Sequence, residues 1–427
     1  MTHSILIKGT SILGNGTSDL LIDEGVITQI GENLKVDATE TIDGSGTVLL
    51  PGLVDLHTHL REPGKEDAET IESGSRAAAK GGYTAVSAMA NTNPVADNAA
   101  IVEQVRRIGN EIGIVDVFPI GAVTKDLAGV ELADLGSMAK SQAGVRVFSD
   151  DGNCVSDPLL MRRALEYVKQ FGGVVAQHAQ DPRLTLGAQM NEGEIASRLG
   201  LKGWPKVAEE AIIARDILLA DYVQSRLHIC HVTTAGGVEL IRWAKVRGIS
   251  VTAEVTPHHL LLTEDLAESY DPIYKVNPPL RSQEDVLALR AGLADGTIDI
   301  VATDHAPHAA EYKECEWQEA AFGMLGLETA LSIVNTTMVQ SGAMTWSDVA
   351  QRMSITPARI GGYKNHGQEI TVGAPANLTV INPTSNWVVD RDLLQSRSKN
   401  TPFHGHSLQG RVVATLFKGL ITHKVGA

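Results

Sequence analysis

The chain has 427 residues, 43% of them hydrophobic and 20% charged, a globular composition that excludes wholesale disorder and suffices for a large core. Its 51 acidic and 36 basic side chains leave a net charge of −15, which argues against a nucleic-acid or anionic-membrane surface. Aromatic residues, at 4%, leave little from which to build base-stacking platforms.

The opening Met1-Thr2-His3-Ser4-Ile5-Leu6-Ile7-Lys8 has no cationic region before a long apolar run and does not read as a signal peptide. No stretch reaches the ~18 apolar residues of a membrane span. Cys154, Cys230 and Cys315 are too few and too scattered for a disulfide framework or a cysteine zinc site. These features predict a soluble protein of a reducing cytoplasm.

Residues 1–50 read as short strands and tight turns. Leu20-Leu21-Ile22, Asp23-Glu24-Gly25 and Val26-Ile27-Thr28 form an apolar–turn–apolar hairpin signature. From about residue 51 the pattern changes. Apolar runs recur at 53–59, 83–90, 114–121, 143–149, 174–178, 226–231, 249–254 and 298–304. Amphipathic stretches such as Glu72 to Lys80, Asp157 to Phe171, Ala208 to Ser225 and Ala235 to Arg247 separate most of them. This alternation predicts parallel strands with crossover helices, and eight strands close a (β/α)8 barrel. A doubly wound sheet is the competitor, but no Gly-x-Gly-x-x-Gly follows a strand.

The last sixty residues return to strands and turns. Ala376-Asn377-Leu378-Thr379-Val380-Ile381 is expected to end at Asn382-Pro383, and Val412 to Phe417 to turn at Lys418-Gly419 into Leu420-Ile421. Neither terminal piece can bury both faces of a sheet alone. The expected fold is therefore α/β: a TIM-like barrel over 51–366, with a small β-sandwich domain built from 1–50 and 367–427.

The candidate chemistry lies at the strand ends. Leu53-Val54-Asp55-Leu56-His57-Thr58-His59 puts two imidazoles on one face of a strand, and such a pair can chelate one divalent ion. Alone, His-x-His is short and common. But Val147-Phe148-Ser149-Asp150-Asp151, Val174-Val175-Ala176-Gln177-His178, Leu227-His228-Ile229-Cys230-His231 and Ile300-Val301-Ala302-Thr303-Asp304 each end the same way. Barrel enzymes carry their chemistry at that end, and unpartnered burial of so many polar groups would be costly. Four histidines and two aspartates exceed one tetrahedral ion. Two ions sharing a carboxylate and a hydroxide, ~3.5–4 Å apart, account for the number. Parity turns His228 to the opposite, helix-facing side as a satisfied packing residue. It does not choose between Asp150 and Asp151.

Asp55-Leu56-His57-Thr58-His59-Leu60-Arg61-Glu62-Pro63-Gly64 resembles the signature of the amidohydrolase superfamily, and of its bacterial type I dihydroorotases in particular. Met89 to Pro94, Ala253 to His259, Lys275 to Arg281, Ala302 to His308 and Ala321-Phe322-Gly323 carry the likeness over nearly the whole chain. The resemblance implies reversible hydrolysis of the cyclic amide of dihydroorotate to N-carbamoyl-aspartate, in pyrimidine biosynthesis. It implies two zinc ions, one held by His57, His59 and Asp304, the other by His178 and His231, with Asp151 bridging. It adds Asn91, Asn277 and His308 as substrate contacts, with backbone contacts at Phe322 and Gly323. His59 serves both sets. A homodimer, or a complex with aspartate carbamoyltransferase, stays open.

Two positions depart from the wider superfamily. Val145-Arg146-Val147-Phe148 has arginine where a carboxylated lysine is expected in hydantoinases and allantoinases, so no such modification is expected here. Ala376-Asn377-Leu378 stands where Ala-Asp-Leu is usual, far from the chemistry. In the expected mechanism Asp304 takes the proton of the bridging hydroxide and delivers it to the ring nitrogen. Arg61, two residues beyond His59, offers a planar fork to the substrate carboxylate, against the alternative of a surface pair with Glu62 or Glu66. Turn or cap chemistry before Pro94 and Pro278 is the alternative for Asn91 and Asn277. Residues 305–323, with Tyr312, are a candidate lid. A hydantoinase-like enzyme and a non-catalytic scaffold are the rival readings.

Overall fold

In the computed structural model, which describes residues 4–426, the two ends of the chain meet in one sheet. Met1 to His3 of the N-terminal reading lie outside the described residues. The N-terminal strands are β1 (Ser4–Ile12), β2 (Asn15–Asp23), β3 (Val26–Gly31), β4 (Glu40–Asp43) and β5 (Val48–Pro51). Then come β6 (Leu53–Thr58), β7 (Tyr83–Ala88), β8 (Asp116–Pro119), β9 (Val147–Phe148), β10 (Val174–Gln177), β11 (Met190–Asn191), β12 (Gly203–Trp204), β13 (Leu227–Ile229), β14 (Val251–Val255) and β15 (Ile300–Val301). The C-terminal strands are β16 (Leu378–Val388), β17 (Ser407–Phe417) and β18 (Leu420–Lys424).

The terminal sheet runs β18-β17-β16-β5-β1-β2-β3, with β4 added beside β1. Its seam is the antiparallel pairing of β5 with β16, Pro51 opposite Leu378 and Val48 opposite Ile381. Both expected hairpins form. Glu24 and Gly25 have φ of 47° and 82°, and Lys418 and Gly419 have 52° and 75°. Two positive φ values in a two-residue turn match the strand twist. The two turns also touch: a Cβ on Gly419 would lie 2.4 Å from the Cα of Gly25. Asn382-Pro383 does not end its strand. β16 continues to Val388 past an irregularity in register between Asn382 and Asn386. There the Asn382 side chain accepts from the amides of Thr384 and Ser385, so the turn chemistry makes a bulge instead of an end.

All eight expected central runs contain a strand, though 143–149 shortens to Val147–Phe148 and 298–304 to Ile300–Val301. They pair in parallel as β6-β7-β8 and β9-β10-β13-β14-β15. Single parallel bridges, Gly121 with Phe148 and Thr58 with His305, connect the two groups. The amphipathic stretches are helices, Ile71–Lys80, Pro158–Lys169, Val207–Val223 and Ala235–Val246. Asp157 caps the second by accepting from the amide of Leu160, with Pro158 in the first turn. Leu227, Ile229, Val251 and Val301 pack toward the helices, whereas Val54, Ala85, Val174, Cys230 and Ile300 cluster on the other face of the strands. His228 shares the face of Cys230 and bonds to Glu254, so it points away from the helices. Among the described residues no helix is long and apolar enough to cross a membrane.

Candidate metal centre

The parallel strands deliver polar residues to one place because their C-terminal ends lie side by side. His57 is the penultimate residue of β6 and His59 follows the strand. Asp151, His178, His231 and Asp304 follow β9, β10, β13 and β15, and all six side chains are buried. His231 and Asp304 have φ of 30° and 47°, and Arg61 has 63°. For non-glycine residues such values cost of order 1–3 kcal/mol each and concentrate where function demands a direction.

Asp151 is the shared element. Its Oδ2 lies 3.2 Å from His57 Nε2 and 3.3 Å from His59 Nε2. Its Oδ1 lies 3.2 Å from His178 Nδ1 and 3.1 Å from His231 Nε2. Asp304 Oδ1 joins the first group, 3.1 Å from His59 Nε2 and 3.4 Å from His57 Nε2. Two donor sets result, His57–His59–Asp151–Asp304 and Asp151–His178–His231, each with its atoms within 4.8 Å of one another.

The donors fit divalent ions. His57 Nε2 is buried without a hydrogen-bond partner. The facing nitrogens of His178 and His231 are 2.9 Å apart. Imidazole nitrogens converging on carboxylate oxygens suit a divalent transition ion, zinc among them. Burial pushes the Asp304 carboxyl up, but His57 and His59 outweigh it and hold the group below the usual carboxylate range.

Asp150 takes no part in either donor set. Its Oδ1 accepts from the amides of Val123 and Thr124 at 2.8 and 2.9 Å, and its Oδ2 from the Thr124 hydroxyl. Arg146 is directed elsewhere too, its guanidinium donating to the carbonyls of Ala139, Gly144 and Val145.

Arg61 donates through Nε to the carbonyl of Pro307 at 3.1 Å. Burial lowers its pKa to about 10, so it remains a cation beside the cluster. The surface pair is not formed. Glu62 accepts from the amide of Ile71, and Glu66 from that of Gly64. Asn91 Oδ1 meets His59 Nδ1 at 3.0 Å, and its Nδ2 donates to the Asp151 carbonyl at 3.5 Å. Asn277 reaches Gln180 Oε1 at 3.3 Å, and its own Oδ1 is buried without a partner. The same Gln180 oxygen meets His178 Nε2 at 2.6 Å.

His308 Nε2 donates to the carbonyl of Phe322 at 2.8 Å. Burial, with Arg61 and Lys313 nearby, pushes its pKa down to about 3. The Gly323 amide donates to the Lys275 carbonyl, and its own carbonyl accepts from Asn400. Glycine is needed there for space: at φ 145° an added Cβ would sit 2.7 Å from His308 Nε2. Residues 305–323 are anchored by two buried lysines. Lys275 Nζ donates to the carbonyls of Trp317 and Gln318, and Lys313 Nζ to those of Lys275 and Ala321.

Sequence reasoning missed Gln180 and Glu254. Gln180 carries no local signal. Glu254 stands in the quoted Ala253 to His259 stretch, and its Oε1 lies 2.6 Å from His57 Nδ1.

The fold is that of cyclic-amide hydrolases. It matches L-hydantoinase (dihydropyrimidinase) from Arthrobacter aurescens with a TM-score of 0.87 and 26% identity, over 100% of this chain and 97% of that one. A D-hydantoinase gives a TM-score of 0.85 at 24% identity, over 99% and 95% of the two chains. In sequence, a family model described as dihydro-orotase-like matches residues 46–236. The dihydroorotase of Streptomyces coelicolor is 62% identical over 417 residues, covering 98% of this chain and 97% of its own. That of Mycobacterium tuberculosis is 56% identical over 425 residues, covering 99% of each. The chain belongs to the dihydroorotase family.

Proposed function

We propose that the chain catalyses the reversible, zinc-dependent hydrolysis of the cyclic amide of dihydroorotate to N-carbamoyl-aspartate, a step of de novo pyrimidine biosynthesis. The observation that carries this reading is the convergence of two histidine pairs on the two oxygens of one encoded carboxylate, Asp151. It occurs in a chain 62% identical to a dihydroorotase over almost its full length. His57, His59 and Asp304 would hold one zinc ion, His178 and His231 the other, and Asp151 would bridge them without a carboxylated lysine.

Two such ions, when bound, supply a Lewis acid for the amide carbonyl and acidify a water into a nucleophile near neutral pH. The chain does the rest. Asp304, which faces His57 and His59, accepts the proton of the attacking water and passes it to the ring nitrogen as the C–N bond breaks. Arg61 pairs with the substrate carboxylate. Asn91, Asn277, His308 and the backbone of Phe322 and Gly323 orient the ring. Asn91 also fixes His59 through its ring nitrogen, and the orphaned Oδ1 of Asn277 offers an acceptor.

This architecture is read as eight strands closed into a barrel over 51–366, supported by the two bridges that join the parallel groups. The β5–β16 seam supports a composite domain of 1–50 and 367–427. The three unpaired cysteines fit a cytoplasmic setting. A hydantoinase reading is favoured by the likeness of fold, but that match has 26% identity against 62% for the dihydroorotase. Steady-state assay on dihydroorotate, N-carbamoyl-aspartate, hydantoin and allantoin, with metal analysis of the same sample, decides. Turnover of hydantoin alone, or a protein that binds no zinc when it is supplied and turns over none of the four, would overturn the proposal.

A further inference from the structure

We propose that Glu254 is a positioning residue for both halves of the metal centre, itself held in place by His228. The inference rests on the two-ion reading above and names residues to which that reading assigns nothing. Glu254 lies on β14, one strand removed from any ligand, and is buried, with His57 and His228 on either side of it.

Its carboxylate receives three donors. Oε1 lies 2.6 Å from His57 Nδ1 and 3.2 Å from the backbone nitrogen of His231. Oε2 lies 2.9 Å from His228 Nε2. A carboxylate only accepts, so the proton of the His57 ring sits on Nδ1. In the neutral ring the lone pair is then on Nε2, the nitrogen that faces Asp151 and Asp304 and has no hydrogen-bond partner. A carboxylate behind a metal-binding imidazole fixes its tautomer, aims its ring and raises its basicity.

The second donor reaches the other half of the centre. His231 is turned into the cluster at φ 30°, a conformation its own chain disfavours. The bond from its amide to Glu254 helps to hold that turn. One carboxylate thus sets the ring of a ligand in one donor set and the backbone of a ligand in the other.

His228 completes the arrangement. Its Nε2 faces Glu254, and its Nδ1 meets Thr252 Oγ1 at 2.8 Å. Thr252 and Glu254 are alternate residues of β14, so one strand face anchors the imidazole at both nitrogens. Without that donor one oxygen of a buried carboxylate would be left unpaired. The close grouping of His57, Cys230 and Glu254 is accordingly built around the hydrogen bond from His57 to Glu254. It is not a third ion site, because His57 Nδ1 cannot hold a proton for Glu254 and a lone pair for an ion at once.

The test uses metal-stripped full-length protein, Zn2+ alone as the probe in competition with a chromophoric chelator, and the melting temperature of the apo form. In Glu254→Gln both zinc equivalents should bind roughly 10–100-fold more weakly, the range for loss of such a partner, with the apo melting temperature little changed. His228→Gln keeps a donor toward Glu254 and should bind zinc as the parent does. His228→Phe removes that donor and should weaken zinc as Glu254→Gln does. Native zinc affinity in Glu254→Gln overturns the proposal, whatever its melting temperature. Equal affinities in the two His228 variants also overturn it, and they decide the matter if Glu254→Gln does not fold. A parent protein that takes up no zinc removes the two-ion reading first, and this inference with it.

Discussion

Asp150 and Asp151 are neighbours in sequence with opposite employment. Asp150 binds the backbone amides of Val123 and Thr124, while Asp151 faces four imidazoles. One carboxylate shapes the loop, and the next joins the two donor sets. Asp151→Ala should lose at least one of two zinc equivalents. Asp150→Ala should keep both but lose stability, because two buried amides would be left unsatisfied at ~1–3 kcal/mol each. Metal analysis and thermal melting of both proteins check this. Metal loss in the Asp150 variant alone would mean that the bridge is misplaced.

In the proposed mechanism Asp304 combines ligation with proton transfer. Asp304→Ala should lower kcat by at least ~10²–10⁴-fold, the usual contribution of a positioned acid–base group. Near-normal turnover would refute its assignment. His57→Ala and His178→Ala should abolish turnover through loss of zinc, visible in the metal content of the purified proteins.

Arg61 is a cation beside the cluster with only its Nε bonded, to a backbone carbonyl. Arg61→Lys keeps the charge and loses the planar fork. KM for dihydroorotate should rise on the order of 10-fold or more, the worth of a charge-assisted hydrogen bond, while zinc content stays at the parent value. An unchanged KM would show that the carboxylate binds elsewhere.

On the proposed reading the bridging carboxylate is the encoded Asp151, so assembly should need no carbon dioxide. Apo protein given zinc in bicarbonate-depleted buffer should recover full activity, and its intact mass should equal that of the unmodified chain. A bicarbonate requirement would show that a carboxylated lysine takes part.

His423, on β18, is pushed down to about 4 by burial, with Lys80 and Arg411 nearby. The ordinary histidine value is 6.5, so between about pH 4 and 6.5 the unfolded chain binds the proton and the folded one does not. Stability therefore rises with pH across that window and falls on acidification. His423→Gln should lose less melting temperature than the parent between pH 6.5 and 4.5. Parallel curves for the two proteins would show that His423 titrates normally.

By itself the sequence determined the strand–helix alternation, the two hairpins and the convergence of His57, His59, His178, His231 and Asp304. Periodicity and turn chemistry are local, and the ends of parallel strands must lie together. Tertiary structure decided what parity could not. His231 and Asp304 lie past the ends of their strands at positive φ, where alternation no longer tells which way a side chain points. The choice of Asp151 over Asp150 depended on amides 26 and 27 residues earlier in the chain. His228 turned out to face Glu254 because an imidazole between Thr252 and a carboxylate is satisfied on that side of the strand. Such bonds join residues on different strands, and no pattern within one strand encodes its neighbour's side chains.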